Sequence, residues 1–310
     1  MKDKTDYNQV YRIARAYYIK GDSEKTIASR EGLSRPHVSR LLTKARQIGM
    51  VSINVSMPQS RNVLEYEKKL KEKLKLEDVR VASMSPKIID QQAISIELSK
   101  FASQILPGML VEARNLGVGV GYTIYNIGKM LDNSLNKYNM SIAPLCGYTN
   151  STDPYYQTTI IANDFSEKLK STAYFAQIPF IVKKDEMSVQ EEKSYETLNS
   201  LWNDIDTVVM GIGGVNRYHR VTDFLVKGEK RVIGDLLSTL ILEDGSVADL
   251  KEGYLYITYD VQKLRDVKNV ICIGGGREKV KCIIACAKKG YFKTLITDSV
   301  TAKMILEVLE

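Results

Sequence analysis

Across residues 21–50, apolar positions fall at helical spacing in two short blocks joined by a tight turn. The first block, about residues 24–31, follows Ser23, a residue type whose hydroxyl caps helix N-termini. Gly32 supplies the turn and Leu33 plugs the gap beneath it. Ser34 caps the second block, and Pro36 sits in its first turn, where a missing N–H costs nothing. Val38, Leu41, Leu42, Ala45 and Ile48 then recur so that they face a core, and Gly49 ends the helix. Upstream, Val10, Ile13, Ala14, Tyr17 and Tyr18 mark one face of a first helix over about residues 6–19. Downstream, MVSINV (50–55) alternates apolar and polar positions as a short strand or wing does, and Pro58 closes the unit. The pattern predicts a winged three-helix domain over residues 1–57.

The face of the second helix opposite this core carries Arg35, His37, Ser39, Arg40, Thr43 and Lys44. It has little apolar surface to bury, but it gathers donors near a helix start, where a recognition helix meets base edges. That is the arrangement of a DNA-reading helix-turn-helix. An ordinary helical hairpin with a solvated basic face is the plainer alternative.

Residues 58–78 form a charged helical linker, with Val63, Tyr66, Leu70 and Leu74 along one side. So narrow a stripe fits either pairing with a second copy or docking on the next domain. From residue 79 the pattern changes. VRVAS reads as a strand, and a helix follows over residues 90–106, stopping before Pro107 and Gly108. Continuous apolar runs then alternate with helical segments: NLGVGV (115–120), MSIAPL (140–145), TVVMGI (207–212), NVICIG (269–274) and TLITD (294–298). Such runs belong to strands buried on both faces, so residues 79–310 are expected to form an α/β domain with a doubly wound, mostly parallel sheet. Ligands of such sheets bind beyond the carboxyl ends of the strands.

Charge sharpens this division. The first 57 residues hold eleven Lys and Arg against five Asp and Glu, so six of the seven net positive charges lie there. A basic head on a near-neutral body points to a polyanion partner that touches only the N-terminus. The start, MKDKTDYNQ, lacks a signal peptide's apolar core, and no apolar run nears the length of a membrane span; the expected location is cytoplasmic, with no membrane partner. Cys146, Cys272, Cys282 and Cys286 are too few and scattered for a disulfide framework. With only two histidines and no CxxC pair, they read as buried thiols rather than metal ligands. The sole tryptophan, Trp202, lies on a helix over 192–202 and reads as a packing residue.

Three of the apolar runs end in glycine clusters: GVGVGYT (117–123), GIGG (211–214) and GGGREK (274–279). Glycines let backbone N–H groups approach an anion, and a following helix start adds a favourable dipole. Thr123 offers a hydroxyl at the first cluster and Lys279 a point charge at the third. Together they indicate a phosphorylated or polyhydroxy ligand. GVGVGYT is G-x-G-x-G rather than G-x-G-x-x-G, and no acidic residue ends a strand about twenty residues on, which argues against a dinucleotide. GxxxxGK[ST] is absent, so nothing supports ATP use, and no cofactor is implied. His219, with Arg217 and Arg220, follows GIGG and stands either within reach of an anion or in a solvated loop.

The order and spacing of these motifs resemble the SorC/DeoR family of bacterial sugar-responsive transcription regulators. The resemblance runs from about Tyr11 to Leu306, through the helix-turn-helix, GVGVGYT, VVMGIG, VIGDLL (232–237) with EDG after it, IGGGREK and GYFKTLITD. It implies a helix-turn-helix head joined to an effector domain similar in fold to sugar-phosphate isomerases and CoA transferases. It also implies a homo-oligomer, dimeric or tetrameric, whose hold on double-stranded operator DNA changes when a phosphorylated sugar binds. By position, the phosphate cradle is Gly119, Gly121, Tyr122 and Thr123; Asp235 stands at the sugar; Gly275, Gly276 and Lys279 complete the site. Tyr122 departs from the family's small hydroxyl residue. Cys146 stands where one branch carries a Schiff-base lysine, and Gly147-Tyr148 replaces a double glycine. Against an isomerase or deaminase-like enzyme, neither histidine lies in a glycine loop and Asp235 has no evident second acid–base partner. A regulator that has lost its effector pocket is the other alternative.

Overall fold

The computed structural model describes residues 6–48, 50, 51, 61–132, 135, 137–149, 152–214, 231–249 and 252–310. Gly49, most of the expected wing, Pro58 and the Arg217–His219–Arg220 group lie outside the described residues. The chain divides into two compact units, Met1–Met57 and Pro58–Glu310.

In the first unit, α1 (Tyr7–Ala14) starts at Asp6, whose side chain accepts the Asn8 N–H, and widens into a π-helical turn over Arg15–Ile19. Helix α2 (Glu24–Glu31) is capped by Ser23, which accepts the Thr26 N–H at 3.1 Å, and ends on Gly32 at φ +66°. Helix α3 (Arg35–Gln47) is capped by Ser34 through the His37 N–H, with Pro36 in its first turn. Val10, Ile13, Ile27, Val38, Leu42 and Ala45 close the core. Two expected core residues are displaced from it. Tyr17 and Ile48 are 37% and 38% exposed. The π turn adds a residue per turn, so Ala16 points inward in place of Tyr17. Ile48 lies just past the end of α3, where the helical register no longer holds it.

In the second unit, α4 (Arg61–Leu74) is docked rather than free. Val63, Leu70 and Leu74 are buried, Glu67 accepts the Val81 N–H at 2.9 Å, and Lys73 donates to the Leu309 carbonyl. Strand β1 (Asp78–Ala82) leads to α5 (Gln91–Met109), capped by Asp90. This helix runs through Pro107 instead of stopping before it. Leu106 and Leu110 are both fully buried, and Leu110 N–H still reaches the Leu106 carbonyl, so burial outweighs the one lost bond. There follow β2 (Asn115–Val118), α6 (Tyr122–Met130), β3 (Ser141–Pro144), α7 (Thr158–Leu169) and β4 (Thr172–Ala173). Next come β5 (Ile181–Lys183), α8 (Val189–Asn203), β6 (Thr207–Gly214), and the hairpin β7 (Val232–Leu236) and β8 (Thr239–Leu242). The chain finishes with β9 (Tyr254–Tyr256), β10 (Asn269–Ile273), α9 (Val280–Lys288), β11 (Thr294–Asp298) and α10 (Ser299–Leu309).

The strands β1, β11, β10, β6, β2, β3 and β4 lie in that order, and all are parallel. Alternation along them fills both faces, which is why each run is continuously apolar. Val208, Met210, Val270, Cys272 and Leu295 pack under α4, α8, α9 and α10. Val209, Ile271, Ile273 and Ile296 pack under α5, α6 and α7. From β2 the chain moves outward through β3 to β4, and from β6 it moves the other way through β10 and β11. The order therefore reverses between β2 and β6, and a crevice opens there at their carboxyl ends. VIGDLL supplies an unexpected antiparallel addition: β7 pairs with the far end of β6, Gly213 opposite Asp235, and turns back as β8. Trp202 packs as expected; its Nε1 donates to the Pro144 carbonyl at 2.8 Å.

Candidate functional site

The crevice between β2 and β6 is an open cleft whose unfilled space is about 760 Å³, solvent at its mouth included. The first glycine cluster divides its work there. Gly119 N–H donates to the Val209 carbonyl at 2.9 Å, and a Cβ at this position would press on Met210 and Leu237. Gly119 thus packs the strand end and lies outside the cleft wall. Gly121 is different. Its φ of +123° turns the chain into α6, and a Cβ there would meet nothing within 4 Å. As N-cap it supplies no side-chain acceptor, so the first-turn amides of Tyr122, Thr123 and Ile124 keep their orphan donors where these residues line the cleft. The positive end of the α6 dipole points to the same place. The Ser99 hydroxyl lies against this turn, its single proton shared between the Ser95 carbonyl at 2.6 Å and the Thr123 carbonyl at 3.0 Å.

The second cluster, Gly211–Gly214, forms the floor. A Cβ on Gly213 would overlap Asp235 Oδ1, so glycine is what lets β7 bring that carboxylate into the wall. Asp235 is buried yet borders the cleft. The β7–β8 turn places Leu237 and Ser238 beside it, at φ +51° and +61°. Two non-glycine residues in the left-handed region make a strained tip, held by Thr258 Oγ1 donating to the Leu237 carbonyl at 2.8 Å.

The third cluster is closed by its neighbours. Gln91 Nε2 donates to the Gly275 carbonyl at 2.9 Å, and Gly276 N–H donates to Thr301 Oγ1 at 2.7 Å. Thr301 in turn donates to Asp298 Oδ2 at 2.6 Å. A Cβ on Gly275 would overlap Asp298, and one on Gly276 would overlap Gln91. These two glycines pack the loop and stay out of the wall, while the loop delivers Glu278 and Lys279 to it.

Cys146 and Gly147 also stay out. Cys146 is fully buried opposite Thr258, and burial, with the Asp235 carboxylate second, pushes its thiol up to about 12. Gly147 packs against the Ile178 and Pro179 backbone. Of the residues carried over by position, the structure brings Gly121, Tyr122, Thr123, Asp235 and Lys279 into one cleft. It adds Gln91, Ser95, Tyr156, Ser238 and Glu278, which sequence reasoning did not assign. Glu278 stood inside GGGREK and was open to view. Gln91 and Ser95 carried no signal beyond their place in the first turns of α5.

In the first unit, Arg35, Ser39, Arg40 and Thr43 are exposed on α3, and His37 and Lys44 half-exposed. Arg35 Nε reaches Glu24 Oε2 at 3.3 Å, and Thr43 accepts from Arg46. Among the described residues, no cluster of three His, Cys, Asp or Glu is placed to hold a metal, and no helix is long and apolar enough to cross a membrane.

A family model described as a putative sugar-binding domain matches residues 59–307. The chain belongs to that family. The sorbitol operon regulator of Klebsiella pneumoniae is 22% identical over 318 residues, covering 99% of this chain and 100% of its own. The transcriptional regulator LsrR of Enterobacter sp. (strain 638) is 26% identical over 317 residues, covering 97% and 94%. In fold, the full-length SorC crystal structure from Klebsiella pneumoniae superposes with a TM-score of 0.71 over 98% of this chain and 100% of that one, at 22% identity. The full-length relatives match across both units and the family model lies within the second; together they place the chain among SorC/DeoR-type sugar-responsive regulators, as the motif order implied.

Proposed function

We propose that this protein is a DNA-binding transcriptional regulator whose operator binding is controlled by a phosphorylated sugar held in the β2–β6 cleft. The observation that carries the effector reading is the uncapped start of α6. Its first-turn donors face a cleft that also presents Lys279, a carboxylate, an amide and hydroxyls. Phosphate suits the donors and the dipole. Asp235, Gln91, Ser95 and Ser238 suit a sugar's hydroxyls. The basic face of α3 supports the operator reading, with Arg35 and Arg40 as the principal contacts. Recognition by a helix-turn-helix uses two half-sites, so the working form is a homo-oligomer acting in the cytoplasm. The Val63–Leu70–Leu74 stripe is already buried within one chain, so it is not the pairing surface.

The protein acts without turnover. A second carboxylate, Glu278, shares the cleft with Asp235, and this makes the enzyme alternative testable. A thermal-shift screen against sugar phosphates should raise the melting point for a subset, in proportion to RT ln(1 + [L]/Kd). Operator affinity measured with and without the best ligand should then differ. NMR of that ligand after prolonged incubation should show it unchanged; a new sugar species would make the protein an enzyme.

A further inference from the structure

We propose that the ring of Tyr122 is a platform on which a cyclic effector stacks, so that the cleft selects ring-form sugar phosphates over open-chain ones of equal carbon number. This rests on the phosphate-in-cleft reading and names the ligand class that the cleft prefers.

Tyr122 is the first residue of α6, half-buried, and it lines the cleft that the open donors of this turn border. The ring is braced. It meets Tyr155 nearly at right angles, with centroids 5.4 Å apart, and Tyr155 leans on Tyr156 at 4.7 Å. The short turn Pro154–Tyr156 that carries both is tied to the cradle, because Gly121 N–H donates to the Tyr155 carbonyl at 2.9 Å. Tyr155 Oη donates to Asp153 Oδ2 at 2.7 Å, and Thr149 Oγ1 donates to the Tyr156 carbonyl at 3.2 Å. The aromatic group and the phosphate cradle therefore share one rigid support.

A furanose or pyranose has a face of C–H bonds that matches the electron-rich face of an aromatic ring. An open-chain polyol has the same hydroxyls but no flat apolar face to offer. The polar groups at Asp235, Glu278, Gln91 and Ser95 line the same cleft and are available to the hydroxylated edge. A ligand with its phosphate at the α6 start thus finds one wall suited to a ring and another suited to hydroxyls.

Matched pairs test this: ribose 5-phosphate against ribitol 5-phosphate, and glucose 6-phosphate and fructose 6-phosphate against glucitol 6-phosphate, titrated calorimetrically. The wild-type protein should bind the ring member of at least one pair about five- to tenfold more tightly, the scale of one aromatic contact. Tyr122→Phe should keep that ratio, since the face and not the hydroxyl is used. Tyr122→Ala should bring the ratio close to one, with the ring member losing about five- to tenfold more affinity than its open-chain partner. Equal affinity for ring and chain in the wild type would overturn the platform and leave the phosphate cleft standing, without relying on any variant's folding. So would a preference that Tyr122→Ala preserves. Binding of none of these ligands by the wild type would overturn the cleft reading and the platform with it.

Discussion

Two glycine-rich loops end neighbouring regions of the same parallel sheet, and they do opposite things. Gly121 and Gly276 both sit at positive φ, +123° and +106°, and both precede a helical turn without a side-chain cap. Around Gly121 there is open space, so the N-terminal donors of α6 face a cleft. Around Gly275 and Gly276 the space is filled by Gln91, Asp298 and Thr301, so those glycines allow close packing. A glycine cluster is thus a permission for close approach, and what approaches is set by the rest of the fold.

The strongest way to break this contrast is by volume. Gly275→Val should destabilise the second unit by about 3 kcal/mol, because its branches meet a buried carboxylate network that has nowhere to move. Gly121→Ala should cost only about 1 kcal/mol, from backbone strain alone. Urea unfolding followed by the fluorescence of Trp202, the sole tryptophan, reads this unit without interference from the head. Equal losses would erase the distinction between a packed and an open loop.

Thr123→Val asks whether the open loop binds an anion. It keeps shape and deletes a hydroxyl at a buried cleft position. Losing a hydrogen bond to a charged group costs about 1.5–3 kcal/mol, so effector affinity should fall roughly ten- to a hundredfold by calorimetry. Operator affinity without effector should be unchanged. Unaltered effector affinity would reduce the loop to a turn.

The head supplies a third kind of helix start. Helix α3 is capped by Ser34 through the His37 N–H and carries Pro36 in its first turn, so fewer backbone donors are open there than at α6, and the proposed DNA contacts rest on its side chains. Arg40→Ala should cost roughly 1–3 kcal/mol of operator affinity if it reads a base. Arg35→Ala should do the same, less whatever its pairing with Glu24 already withholds. Wild-type operator binding in both variants would remove the assignment of this face.

The smallest effect concerns Cys146, the position by the cleft that the structure closes. Native Cys146 keeps its proton up to about 12, while an ordinary thiol loses it near 9.0. The unfolded chain therefore binds fewer protons in this range, and stability should fall as pH rises above 9. Cys146→Ala should flatten part of that fall in urea melts. Iodoacetamide at pH 8 should leave native Cys146 unmodified; labelling would return it to the cleft.

Much of the chain is legible in its sequence. The caps Ser23 and Ser34, the turn at Gly32 and the apolar runs of β2, β3, β6, β10 and β11 appear where local pattern placed them. Each depends on chemistry within a few residues: a hydroxyl reaching a nearby N–H, or a run of apolar side chains too long for a half-exposed strand. Thr123, Asp235 and Lys279 were found by motif, and they meet in one cleft. Tertiary structure decided the rest, because the deciding partner lies far along the chain. Pro107 stays helical because Leu106 and Leu110 are buried. VIGDLL becomes an antiparallel strand because the glycines of β6 leave room for Asp235. The turn at Leu237 and Ser238 has no glycine or asparagine to announce it and is held by Thr258, twenty-one residues away. Local pattern records where a backbone can go. Which glycine faces the open cleft and which faces a neighbour is set by packing between segments as far apart as Gln91 and Gly275, 184 residues, and only the folded chain contains that information.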